Sequence, residues 1–162
     1  MDPWPIVGPW LLAEGDGKVM LDKEKDYYTW CMEVARRLRL LEDPLMDSIG
    51  AELEALGRNE VRILRRQLER LYLHLLKWKY QPSKRTRGWA FSIIDASNEI
   101  RWGLGDNRSL KRPSTLKELH DRAYNHARMR VAKATGLKLS AFPKKRPWSH
   151  GQVMKYPGLV DD

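Results

Sequence analysis

Proton transfer in this chain would fall first on its histidines, because imidazole is the side chain whose charge changes near neutral pH. Glu60, Gln67 and His74 follow one another at intervals of seven, so on a helix they share one face beside a leucine stripe. A carboxylate and an imidazole together make a general acid–base centre. Residues fourteen apart on one helix are nevertheless roughly 21 Å apart, so Glu60 and His74 cannot touch. Each would need a partner from another helix, Arg85 or Arg101 for example. The plainer alternative is a polar residue satisfied across a helix interface.

Toxin-type helical ribonucleases place four to six residues between an arginine and a histidine. Arg70 and His74, and likewise Arg122 and His126, enclose three. That spacing puts each pair on one face and suits a small site, but it does not match the motif. His120 and His126 are six apart and face different sides of a helix, so the i,i+4 spacing of a helical zinc pair is absent. His150 stands alone near the C-terminus, and Cys31 is embedded in an apolar stripe. Neither a metal site nor a cofactor is expected. Nucleophile motifs and phosphate-cradling glycine loops are missing, and "GLGDN" reads as a helix stop.

The second chemistry is electrostatic. "HLLKWKYQPSKRTRGW", His74 to Trp89, interleaves basic side chains with three large aromatic rings. Trp78 and Trp89 continue apolar stripes and belong to packing, Tyr80 staples the corner, and the Lys77 stem covers apolar surface. Lys79, Lys84, Arg85 and Arg87 are left over. Arg85 and Arg87 stand near a helix start, where the dipole disfavours cations. Two accounts stay open: internal pairing with Asp95 or Glu99, or an external anion. In the second account these four residues and Arg128 line one polyanion-binding surface, for nucleic acid or an acidic protein.

The charge distribution bears on that choice. Within a formal total of +9, residues 1–57 carry net −6, residues 58–87 net +8 and residues 107–146 net +10. Such asymmetry attracts polyanions, although acidic and basic helices packed together would produce it too. A chain of 162 residues is one domain by length and has enough surface to bury a core unaided. No run approaches the ~20 apolar residues of a membrane span. The opening "MDPWPIVGPWLLAEGDG" lacks the basic start and apolar run of a signal peptide, and one cysteine fits a reducing compartment. A cytoplasmic protein without membrane contact is expected.

The elements that must position these residues are helical. Residues 1–21 hold Pro, Gly and Trp without a helical period and form an irregular arm; residues 22–162 form a single domain. Asp26 is the N-cap of a first helix with an apolar stripe from Tyr27 to Leu41. Asp43-Pro44 starts a second, whose stripe Leu45, Ile49, Leu53, Leu56, Leu64, Leu68, Leu71, Leu75 and Trp78 ends at Pro82. Gly57 is its expected bend or break. A third runs from about Thr86–Gly88 to a Gly105 cap, and a fourth from a Thr115/Glu118 capping box to Gly136. An extended segment follows, with Ser149 and Gln152 capping a last short turn. The fold class is all-α: an antiparallel bundle of four main helices around one long central helix.

The stretches "DYYTW", "ELEALGRNEVR" and "HLLKWKYQP", with Arg85/Trp89, Ser109-Leu110 and "A-x-x-T-G-L…FP" at Ala132–Pro143, resemble the domain-of-unknown-function family 29, a mainly cyanobacterial bacterial family. The resemblance covers about residues 24–157. It implies an all-helical fold and transfers no mechanism. The chain departs from the family pattern at "RTRGW", at "GLGDNRSL" and in its Trp-rich arm. Taken together, the sequence reads as a non-catalytic helical interaction module, self-associating or not, with a basic face for nucleic acid. One alternative is a small ribonuclease-like enzyme centred on His74 or His126. Another is an obligate subunit that docks through its Trp-rich arm.

Overall fold

The computed structural model describes residues 22–156; the arm expected at residues 1–21 lies outside them. The described chain is all-α, with five α-helices and no strand: α1 (Tyr27–Arg39), α2 (Pro44–Tyr80), α3 (Arg87–Asp106), α4 (Pro113–Thr135) and α5 (His150–Lys155). Short 3-10 turns occupy Pro82–Lys84, Arg108–Lys111 and Leu139–Ala141.

Local chemistry accounts for most boundaries. Asp26 caps α1 by accepting from the Thr29 amide at 3.0 Å. Asp43 accepts from the Leu45 and Met46 amides, and Pro44 opens α2, where its missing N–H costs nothing. Gln81 closes α2 ahead of Pro82, and Gly136, with φ at 73°, closes α4 in the left-handed conformation that glycine adopts freely. Ser149 and Gln152 form a reciprocal capping box on α5.

Two boundaries differ from the sequence reading. α3 continues through Gly105 to Asp106, with Asn107 as its C-cap. The Asn107 side chain closes this end: its Nδ2 donates to the Gly103 carbonyl at 2.9 Å and to Glu60 at 3.1 Å, and its Oδ1 accepts from the Tyr28 amide. α4 begins at Pro113, not at a Thr115 box, and its N-cap Arg112 supplies no side-chain hydrogen bond.

α2 is one unbroken helix of 37 residues, about 55 Å long. Gly57 neither bends nor breaks it. A Cβ at Gly57 would meet Cys31 Cβ at 3.2 Å and Met32 Sδ at 3.3 Å; one at Gly50 would meet the Ala35 carbonyl oxygen at 3.2 Å. The two glycines therefore form the surface on which α1 lies, through the small side chains of Cys31 and Ala35. That face displaces part of the expected stripe, and Leu45, Ile49 and Leu56 are left exposed.

The main helix packing is of α1, α3 and α4, each against α2. α1 lies on the first half of the long helix. α3 and α4 cover the second half, where Leu64, Leu68, Leu71 and Leu75 meet Ile93, Ala96, Ile100 and Leu104 of α3 and Ala123, Ala127 and Val131 of α4. Successive helices are antiparallel, so α4 runs in the same direction as α2.

Two kinds of substitution separate these halves. Leu68→Ala should cost on the order of 2–5 kcal/mol, and Leu56→Ala less than about 1 kcal/mol. Gly57→Leu should cost about 1–3 kcal/mol by overpacking the α1 seam. Urea unfolding checks all three, and a Leu56→Ala loss equal to that of Leu68→Ala would mean the faces are misassigned.

Candidate functional site

Because α2 and α4 run side by side in one direction, the strongly basic segments of the sequence are adjacent in space. At the start of α4 an open groove of about 390 Å³ is lined by Arg65 of α2, Arg112, Thr115 and Arg122 around α4, Thr29 of α1 and the linking Ser109. Arg65 also pairs with Glu69 at 3.4 Å and Arg122 with Glu118 at 2.6 Å, while Arg112 makes no ion pair among the described residues. The first turn of α4 carries no acidic residue and no side-chain cap. Its amide N–H groups therefore add positive potential to that end of the groove.

One turn beyond Arg122, His126 Nδ1 lies 2.9 Å from Glu69 Oε2. Glu69 is buried and His126 is half exposed. A carboxylate on Nδ1 fixes the ring and leaves Nε2 as the exchanging nitrogen, the arrangement a general base needs. Sequence reasoning singled out His126 but passed over Glu69. Its signal was position: apart from Glu60 it is the one acid in residues 58–87.

The trio spaced by sevens is not one site. Glu60 accepts from Asn107, so it serves the α2–α3 junction. His74 Nδ1 and Gln67 Oε1 are buried without a hydrogen-bond partner among the described residues. Burial, and then the charges of Lys77, Arg70 and Arg130, push the His74 pKa down to about 4, so its imidazole is neutral at pH 7. Neither expected arginine serves them: Arg85 donates to the Trp78 carbonyl, and Arg101 to Asn98 and the Met154 carbonyl.

His150, isolated in sequence, is not isolated in space. Its Nδ1 lies 2.9 Å from His120 Nε2, and His120 Nδ1 lies 2.6 Å from the buried Tyr72 hydroxyl. Arg146, which bonds Asp121 and the Trp148 carbonyl, lies close enough to place a positive charge beside the Tyr72 hydroxyl. Trp148 stacks on Tyr72 in the same cluster. The chain Tyr72–His120–His150 thus fastens the C-terminal segment to α2 and α4.

The basic corner divides. Arg85 lies over the Trp78 ring at 4.9 Å as well as on the Trp78 carbonyl, and Lys79 lies 5.4 Å from the Trp148 ring centre. Arg128 donates to the Phe142 and Leu139 carbonyls at 3.0 and 3.1 Å, so it clasps the C-terminal segment. Asp95, one expected internal partner of the corner, pairs instead with Arg70. Lys84 and Arg87 are exposed and make no ion pair among the described residues. Among the described residues no three His, Cys, Asp or Glu side chains form a metal-holding group, and no helix is long and apolar enough to cross a membrane.

The buried imidazoles make stability depend on pH. Burial lowers the His120 pKa to about 3, His74 to about 4, and His150 in the same direction. The unfolded chain binds protons near pH 6.5, where the folded chain still refuses them, so stability falls as pH drops. Between pH 7 and pH 5, above the carboxylate range, the urea midpoint should fall by the equivalent of roughly 1–2 kcal/mol for each of His74 and His120, with His150 adding in the same direction. A midpoint that stays level or rises over that interval would contradict the burial of these rings.

Comparison with known proteins bears on family and fold class. No curated protein and no solved structure matches the chain. A family model described as a domain of unknown function, DUF29, matches residues 23–156, nearly the whole described chain. The residue pattern from "DYYTW" to "FPKKRP" and the all-helical architecture agree with that match, and the chain belongs to the DUF29 family.

Proposed function

We propose that this chain is a non-catalytic nucleic-acid-binding module whose phosphate-contacting surface is the groove between α2 and α4. The observation that carries the reading is the convergence of Arg65, Arg112 and Arg122 with the hydroxyls of Thr29 and Thr115, three guanidinium groups against the single Glu118 carboxylate in the lining. Guanidinium groups bind phosphate bidentately, and hydroxyls and free helix amides position the backbone without reading sequence. Arg62 and Arg66 on exposed α2 surface, and Lys84 and Arg87 at its far end, have no ion pairs among the described residues and extend the basic field. Arg85 and Arg128, each held by carbonyls, contribute charge rather than freely placed donors.

Binding of this kind proceeds by counterion release, so it weakens steeply with salt and discriminates little between sequences. Short RNA and DNA, single-stranded and duplex, titrated at two salt concentrations, should bind tighter than about 100 μM at the lower one. Replacing Arg65, Arg112 and Arg122 by Ala should reduce the salt slope by roughly one unit per lost phosphate contact. Replacing Lys84 and Arg87 should do less. Absence of binding to all four probes would sink the reading, and a larger loss at Lys84 and Arg87 would move the surface to the corner.

The Glu69–His126 contact favours a second reading, a metal-independent ribonuclease-like enzyme with His126 as general base and Glu69 as its orienting carboxylate. End-labelled RNA incubated with the protein should then be cleaved. His126→Ala should abolish cleavage, and Glu69→Gln should reduce it ten-fold or more. Intact RNA, or cleavage that survives His126→Ala, leaves the pair a structural contact.

A further inference from the structure

The groove of Arg65, Arg112 and Arg122 continues past the start of α4. Tyr28 and Thr29 of α1 line it, and the same two residues line a second, larger open trough of about 580 Å³ along the α1–α2 hairpin. Helix periods make the two continuous. Tyr28, Met32, Arg36 and Leu40 recur at fours and share one edge of α1; Glu54, Val61 and Arg65, spaced by seven and four, share one edge of α2. Val61 and Arg65 line the groove and Glu54 lines the trough. From Tyr28 to Leu40 the α1 edge adds about 18 Å.

The chemistry changes along this path. The groove sets three guanidinium groups against one carboxylate, whereas the trough sets Arg36 and Arg39 against Glu33 and Glu54. Both trough arginines are already held: Arg36 donates to the two Glu33 oxygens at 2.8 and 2.6 Å, and Arg39 donates to Glu54. Such a lining carries no net charge to attract phosphate. It offers instead the Tyr28 ring, the Met32 thioether, Leu40 and fixed guanidinium planes, surfaces against which flat rings pack. Its volume falls within the roughly 300–1,000 Å³ of sites that enclose small molecules.

A nucleic acid divides in the same way, into charged phosphates and flat, uncharged bases. Given the phosphate-contacting groove proposed above, we propose that its ligand is a single strand. The phosphates lie on Arg65, Arg112 and Arg122, and the unpaired bases lie in the trough against Tyr28 and Met32. A duplex cannot use the trough, because its bases are paired and stacked inside the helix. Stacking of this kind tolerates any sequence, since every base has a flat face.

Three probes separate the trough from the groove: a short single-stranded DNA, an abasic strand with the same number of phosphates, and the duplex of the first. The full chain should bind the intact strand roughly ten-fold more tightly than the abasic strand, and more tightly than the duplex. Tyr28→Ala should bring the intact strand close to the abasic one without changing its salt slope, because base contacts release no counterions. Tyr28→Phe keeps the ring and should bind as the wild type does. An abasic strand that binds as well as the intact one, or a duplex that binds as tightly as the single strand, would overturn the trough and leave the groove standing. Equal losses for the intact and abasic strands in Tyr28→Ala would overturn it too. The abasic comparison needs only the wild type, so it decides even where Tyr28→Ala fails to fold. Failure of all three probes to bind would remove the groove, and the trough with it.

Discussion

Everything in this structure depends on the continuity of α2. A helix of this length gains little from propensity alone, and it persists because side chains along it are packed by other elements. The packing differs along the rod. The first half meets α1 through Gly50 and Gly57, backbone against small side chains; the second meets α3 and α4 through leucine, isoleucine and aromatic rings. The junction between the two halves is polar: Asp26, Asn107, Ser109 and Glu60 bond one another's backbone or side chains across α1, α2 and the α3–α4 link. That knot fixes where α4 begins, and so brings Arg112 and Arg122 beside Arg65.

Much of the architecture was legible in the sequence because caps and periods are local. Asp26, Asp43-Pro44, Gln81-Pro82, Gly136 and Ser149/Gln152 each act within one turn of chain, and each marks the boundary it was expected to mark. Gly57 was misread because a glycine that breaks a helix and one that admits a neighbouring helix look identical in one dimension. The leucine stripe was misread for the same reason. Its first half has the period of a buried face, but the partner helix chose the glycine face a third of a turn away.

The site residues were legible as types and illegible as pairs. His126, Arg65 and Arg122 are visible as basic side chains, but the contact of His126 with Glu69 spans 57 residues. His120 and His150 were assigned to different surroundings because their spacing of thirty carries no periodic signal. Arg85 was left between an internal acidic partner and an external anion, and Arg128 was placed on the polyanion surface, since carbonyl acceptors and ring faces are invisible to charge counting. Composition locates a basic field; only the parallel course of α2 and α4 turns it into a groove.

The unequal support of α2 also bears on how the molecule opens. Amide protection follows the density of buried apolar contact around a helix rather than the helix's own length. From Leu64 onward α2 is enclosed by the main core, whereas before Gly57 its fully buried neighbours are Cys31 and Ala35. One continuous rod therefore belongs to two cooperative units. The α1 hairpin forms the weaker one and exchanges its amides through a partial opening that leaves the α2–α4 groove standing. The stronger unit carries its own C-terminal clasp and gives up its amides only in global unfolding.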